Sequence, residues 1–318
     1  MTSRFIASIA ALAAASFGAS TWTVSRTPDG QPDLQGIWTN STLTPFERPA
    51  MWAGKEFLTE KEAADYEKRL IENNDRDRRG GTAEADVAGA YNNFWFERGT
   101  RVVPTRRTSL VVDPPDGKVP ALTPAAKEAA ATRAEVGRHP PTGPEDFGLP
   151  ERCILWPTAG PPMVPGGYNN NYQILQNRRY VTILTEMIHD VRIIPVDGSP
   201  HLPQNIRLWM GDSRGHWEGN TLVVDTTNFT DKTHFRGADR NLHLIERLTR
   251  TDPETILYRF TVDDPTAFTK SWTAEIPMVR TAGPIYEYAC HEGNYSMLNM
   301  LQGARAQEKA AEQEAGKK

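Results

Sequence analysis

The sequence predicts a mainly β protein. An antiparallel meander closes into a barrel or folds into a sandwich, a lipocalin-like barrel being one form. An irregular N-terminal half with two helices precedes it. Three observations lead to this reading. From residue 168 to residue 280, roughly eight strand-like runs follow one another with short turns and no helical period between them. Both clear helix-start signatures lie in the first half. The 24 Gly and 24 Pro fall at short intervals between the strand-like runs or crowd into residues 139–167.

Residues 1–20 place Arg4 ahead of an apolar run over 5–15, with small residues after it. This is the layout of a cleaved signal peptide, too short and alanine-rich to span a bilayer. It predicts a bacterial periplasmic or secreted protein. Residues 21–167 read as a segment that wraps the sheet. Around Gly36-Ile37-Trp38 the chain is an extended, partly stranded lead-in. Thr59-Glu60-Lys61-Glu62 is a capping box, so a helix follows over about 60–73. Its apolar positions Ala63, Ala64, Tyr66, Leu70 and Ile71 mostly fall on one stripe. Residues 107–112 read as a strand stopped by Pro114-Pro115-Asp116-Gly117. Thr123-Pro124 pairs an N-cap with proline at the first helical position, opening a second helix to about residue 136. Residues 139–167 form a long irregular crossing, a kind of loop that is often functional.

Residues 168–303 carry the strands. They cover 172–176, 180–188 and 189–196, then 215–218 with 221–229 around Gly219-Asn220. Next come 242–250 with 255–263 around Asp252-Pro253-Glu254, and finally 271–280. Residues 304–318 are a polar helix or frayed tail. The first half has too few elements for a core of its own, so one unit is expected.

With 36 basic and 40 acidic residues the net charge is -4, which gives no positive excess to attract nucleic acid. Mean hydropathy is -0.55, which excludes a multi-span membrane protein. A small-molecule ligand or substrate is the expected partner, and the oligomeric state is left open. No Gly-x-Gly-x-x-Gly, Walker or Gly-x-Ser-x-Gly motif is present, so no nucleotide cofactor is expected. No metal is predicted. The seven histidines form no His-x-x-x-His pair, and a zinc site would have to be assembled from distant strands. Cys153 and Cys290 can form a disulfide, remain two buried thiols, or supply a nucleophile at Cys290 beside His291.

Alternation along the strands gives the sharper expectation, because every second residue faces the core. Glu246 shares a row with Leu242, Leu244 and Leu248, and Glu186 shares one with Leu184 and Ile188. His189 lies on the face of Val191 and Ile193, Arg192 on that of Ile194, and His243 opposite Glu246. A buried carboxylate must be paired, either as a structural Glu–Arg lock or as acid/base machinery with a shifted pKa. The catalytic candidates are Glu246 and Glu186 as base, with His189 or His243 as acid partner. Arg192 and Arg236 would hold an anionic group of the substrate. Asn171, Tyr172, Tyr288 and His291 belong to clusters where aromatics alternate with amides and acids, which suits a sugar or a phenolic.

Pro32-Asp33-Leu34-Gln35-Gly36-Ile37-Trp38, Arg107-Thr108-Ser109-Leu110 and the run from Trp217-Glu218-Gly219-Asn220 through Thr227-Asn228-Phe229 together resemble a family of exported bacterial proteins. The resemblance implies bacterial origin and export and carries no mechanism.

The sequence therefore points to an exported acid/base enzyme, a lyase, isomerase or hydrolase acting on a small organic molecule. Two alternatives compete with it: a non-catalytic small-ligand-binding barrel and a structural envelope protein. The enzyme reading expects Glu246→Gln to abolish turnover and leave the fold intact.

Overall fold

The computed structural model describes residues 22–78, 81–88, 92–137 and 139–316; the expected signal peptide, residues 1–20, lies outside them. Among the described residues the strands are β1 (Gly36–Thr39), β2 (Val111–Asp113), β3 (Asn171–Gln176), β4 (Tyr180–Thr185), β5 (Val191–Pro195), β6 (Asp212–Glu218), β7 (Thr221–Thr227), β8 (His243–Asp252), β9 (Thr255–Asp263) and β10 (Trp272–Arg280). The helices are α1 (Glu60–Asn74), α2 (Ala83–Ala88), α3 (Pro124–Val136) and α4 (Tyr295–Ala315).

The strand order is β5-β4-β3-β1-β10-β9-β8-β7-β6, with every pairing antiparallel. β5 and β6, the two ends of this path, lie side by side, so the sheet is a nearly closed barrel. β2 pairs with β10 off the main path. From β3 to β10 consecutive strands lie side by side, and the exceptions to sequential order are β2 and β1. β1 comes from the lead-in and inserts between β3 and β10. Gly36 opens it at φ +139°, and a Cβ there would come within 2.8 Å of Arg280 Nη1.

The period-2 pattern explains the core. Leu244, Glu246 and Leu248 of β8 face inward, as do Ile256, Tyr258, Phe260 and Val262 of β9 and Trp272, Ala274, Ile276 and Met278 of β10. Burying one large apolar side chain of this kind stabilises by about 1.5–3 kcal/mol. Trp38, Trp272, Tyr258, Phe229 and Phe260 fill the interior. Trp272 stacks on Phe235 and meets Phe46, Phe260 and Phe268 edge-on. The irregular crossing 139–167 reaches this interior: Met163 and Val164 join the core, and Met163 N–H donates to Tyr258 Oη at 3.0 Å.

Both helix starts form as their caps dictate. Glu62 N–H donates to Thr59 Oγ1 and Thr59 N–H to Glu62 Oε2, while Ala126 N–H donates to Thr123 Oγ1. Several boundaries differ from the sequence reading; β6, for instance, starts at Asp212 instead of residue 215, and β7 stops at Thr227 instead of residue 229. The strand expected over 180–188 stops at Thr185, because Ile188 and His189 turn left-handed at φ 60° and 46° and begin the return to β5. The next strand starts at Val191, with Arg192 and Ile194 inward and Val191 and Ile193 exposed. The strand expected over 107–112 shrinks to β2, because Thr108 and Leu110 donate instead to the loop carbonyls of Glu56 and Pro45. Over residues 304–315 the tail is the second half of α4. No helix among the described residues is long and apolar enough to cross a membrane.

Candidate active site

The inward polar row of β8 leads to a closed network. Glu246 has no exposed surface. Arg192 Nη1 donates to Glu246 Oε1 at 3.0 Å, and Arg192 Nη2 donates to Glu246 Oε2. Arg192 also donates from Nε to Ser213 Oγ and from Nη2 to Thr226 Oγ1, both at 3.0 Å. Tyr258 Oη donates to Glu246 Oε1 at 2.7 Å, and burial pushes its phenol well above the ordinary value. These bonds tie β5 to β6, β7 and β8 across the seam of the barrel. Arg192 is thereby committed to protein acceptors, and its guanidinium does not face a ligand. His243 sits on the outer face, away from Glu246, so the structure does not bring that pair together.

A second carboxylate lies elsewhere. Glu186 follows β4 at the turn that the left-handed residues create, and its side chain is only 1 % exposed. Its Oε1 accepts from Tyr286 N–H at 2.9 Å and its Oε2 from Asn171 Nδ2 at 2.8 Å. The same Asn171 Nδ2 lies 3.5 Å from Glu97 Oε2, where Glu97 accepts a weaker bond. Burial pushes the Glu186 carboxyl above the usual carboxylate range. The Glu97 charge adds to this, while the Tyr286 and Asn171 bonds act against it.

Glu97 lines a cleft of about 890 Å³ walled by Phe94, Trp95, Phe96, Tyr168, Tyr286 and Tyr288. Phe94 and Trp95 meet edge-on and are 77 % and 57 % exposed, an unusual state for large aromatics on a loop. The residues missed by the sequence reading are Glu97 and these aromatics. Their signal was the run Phe94-Trp95-Phe96 in a polar stretch with no core period.

The remaining candidates fall into place around this cleft or away from it. Tyr288 is in its wall, and its carbonyl oxygen lies 2.8 Å from His189 Nδ1. Asn171 bridges the carboxylates. Tyr172 is buried beneath, donating to Thr158 O and accepting from Asn40, and burial holds its phenol above the ordinary range. His291 is exposed beside the cleft segment. Arg236 lies in a separate cleft. Cys153 and Cys290 form a disulfide, and Cys290 borders the aromatic cleft. On the outer barrel, His201 lies 2.9 Å from Asp212 and 3.0 Å from Asp225, which also pairs with His243 at 2.8 Å. The His243 bond holds Asp225 below the usual carboxylate range and raises His243. None of these four residues lines either cleft. Among the described residues no group of three His, Cys, Asp or Glu is placed to hold a metal.

The raised Glu186 carboxyl has a measurable sign. Its folded pKa lies above the ordinary 4.5, so the folded state prefers the protonated form. Its favourable contribution is complete below pH 4.5 and is lost as pH rises through the folded pKa. The melting temperature of the wild type relative to Glu186→Gln is therefore expected to fall between pH 4 and 7. A difference that stays flat over this range would show that the carboxylate carries no burial penalty.

Comparison of the chain with models of protein families, with curated proteins and with solved structures gives no match.

Proposed function

We propose that the protein is an exported enzyme, periplasmic or secreted, that acts by acid/base chemistry on a small cyclic hydroxylated molecule, a sugar or a phenolic. The reaction is of the lyase, isomerase or hydrolase type. One observation carries this reading: Glu97, open to an aromatic cleft, shares the amide of Asn171 with the buried carboxylate of Glu186. Burial and the neighbouring Glu97 charge hold the Glu186 carboxyl above the usual carboxylate range, which keeps a proton within this paired site. Glu97 is the group that touches the ligand and exchanges its proton. Glu186 and Asn171 are positioning residues. Trp95, Tyr286 and Tyr288 offer flat faces to a ring, and their setting beside polar groups suits an amphipathic molecule. The layout of residues 1–20 and the Cys153–Cys290 bridge support export. A carrier that encloses its ligand inside the barrel is less favoured, because large side chains fill that interior.

The test is untargeted mass spectrometry of a metabolite extract incubated with the purified mature protein. The wild type is expected to consume a cyclic hydroxylated compound catalytically. Glu97→Gln, folded by its melting temperature, is expected to be slower by about 10²–10⁴-fold, the usual worth of a general acid/base. Stoichiometric capture without turnover would replace the enzyme reading with the carrier reading. Undiminished turnover by Glu97→Gln would remove Glu97 from the mechanism.

A further inference from the structure

We infer that the molecule bound in the aromatic cleft also carries an oxyanion, a carboxylate or a phosphate, which the protein holds in an adjoining cleft on Arg98 and Arg236. The inference rests on the proposed use of the aromatic cleft and adds the charge of the ligand to it. The adjoining cleft measures about 450 Å³ and is lined by Arg98, Arg236, Thr44, Phe46, Leu110 and Val164. The two clefts share a wall. Phe96 and Glu97 border the first and Arg98 borders the second, as Tyr168 borders the first and Gly166 and Gly167 the second. Glu97 and Arg98 are consecutive and line the two clefts in turn, so a molecule lying across this segment reaches both. Gly99 at φ +75° pins that segment: a Cβ there would come within 3.0 Å of the backbone of Ser41 and Thr42.

Both guanidiniums are stacked and short of acceptors. Arg98 lies 4.0 Å over the Phe96 ring, and Arg236 lies 3.9 Å over the Phe46 ring. Stacking of this kind orients the planar fork and leaves its N–H edge available for an oxyanion. Among the described residues, Arg98 donates no hydrogen bond to a protein acceptor. Among the described residues Arg236 has only Glu47 as an ionic partner, at 3.9 Å, and the other Glu47 oxygen already accepts from Val119 N–H. The contrast is Arg192, whose donors reach three side chains. Burial lowers the proton affinity of both Arg98 and Arg236, and Arg76 adds to the effect at Arg98. Arg76 itself lies 5.6 Å from the Phe96 ring, a third positive charge at the shared wall. Such an excess of desolvated positive charge is relieved by an incoming anion, and a forked donor matches carboxylate and phosphate alike.

The experiment is calorimetric titration with three probes: 4-hydroxycinnamate, phenyl phosphate and methyl 4-hydroxycinnamate. The wild type is expected to bind at least one of the two anions about tenfold or more tightly than the neutral ester, the usual worth of a charge-assisted bond. Whichever anion binds tighter identifies carboxylate or phosphate as the natural group. R98Q and R236Q are expected to abolish the preference and leave ester binding unchanged. W95A is expected to weaken all three. If the ester binds as tightly as the anions, or if both arginine variants keep the preference, the oxyanion site is overturned while the aromatic cleft stands. If none of the three binds, the oxyanion site falls together with the phenolic form of the proposed ligand.

Discussion

Glu246→Gln is expected to destabilise the protein by about 3–5 kcal/mol, the usual cost of leaving one member of a buried ion pair without its partner. Arg192 is 6 % exposed and enclosed by Ser213, Thr226 and Glu246, so its charge would have no water to turn to. Glutamine keeps an oxygen for the Tyr258 hydroxyl but sets an NH2 donor against an Arg192 N–H, so the charge and one acceptor are lost together. Denaturant titration at neutral pH measures it. The double variant R192M/E246Q is expected to recover most of the loss, since no unpaired charge remains. Full stability of the single variant would mean that Arg192 finds another counter-charge. The sequence reading expected this same substitution to stop turnover in an intact fold. The geometry shifts the weight to stability, because all the charged atoms of the pair are used across the barrel seam.

Replacing both Cys153 and Cys290 by serine is expected to lower stability by at most about 4–5 kcal/mol, the chain-entropy value for so long a loop. The bridge spans a sequence separation of 137 residues. Its second effect is local. The strap that carries Tyr286 and Tyr288 is otherwise held by few bonds, among them Tyr286 N–H to Glu186, the Tyr288 carbonyl to His189, and Asn294 to Glu151 O. Without the bridge, the strap is expected to become cleavable by protease over residues 281–294 and to release one wall of the aromatic cleft. Denaturation with and without reductant, together with limited proteolysis, checks both parts. Equal stability and equal protease resistance in the reduced protein would show that packing alone holds the strap.

Legibility in the sequence followed the range of the interaction. The caps at Thr59 and Thr123 were readable because a cap needs only three or four consecutive residues. The inward position of Glu246 was readable because a strand alternates with period two. Glu186 was expected inward from that same alternation, yet it is buried for another reason. The strand ends before it, and Asn171 and Tyr286 hold the carboxylate. Glu97 gave no periodic signal, since it stands on a loop whose position depends on Gly167 O and Asn170 across the fold.

The sequence by itself determined the β meander, the two helix starts and the polar character of one inner row. Each of these follows from local chemistry: turn residues, capping side chains and alternation. Only the tertiary structure decided that β1 inserts between β3 and β10, that Glu246 pairs with Arg192, and that Glu97 meets Glu186 beneath an aromatic wall. Those contacts join residues from 54 to 242 positions apart only after the barrel has closed. No local pattern specifies which of many compatible charges and rings will face each other across such distances.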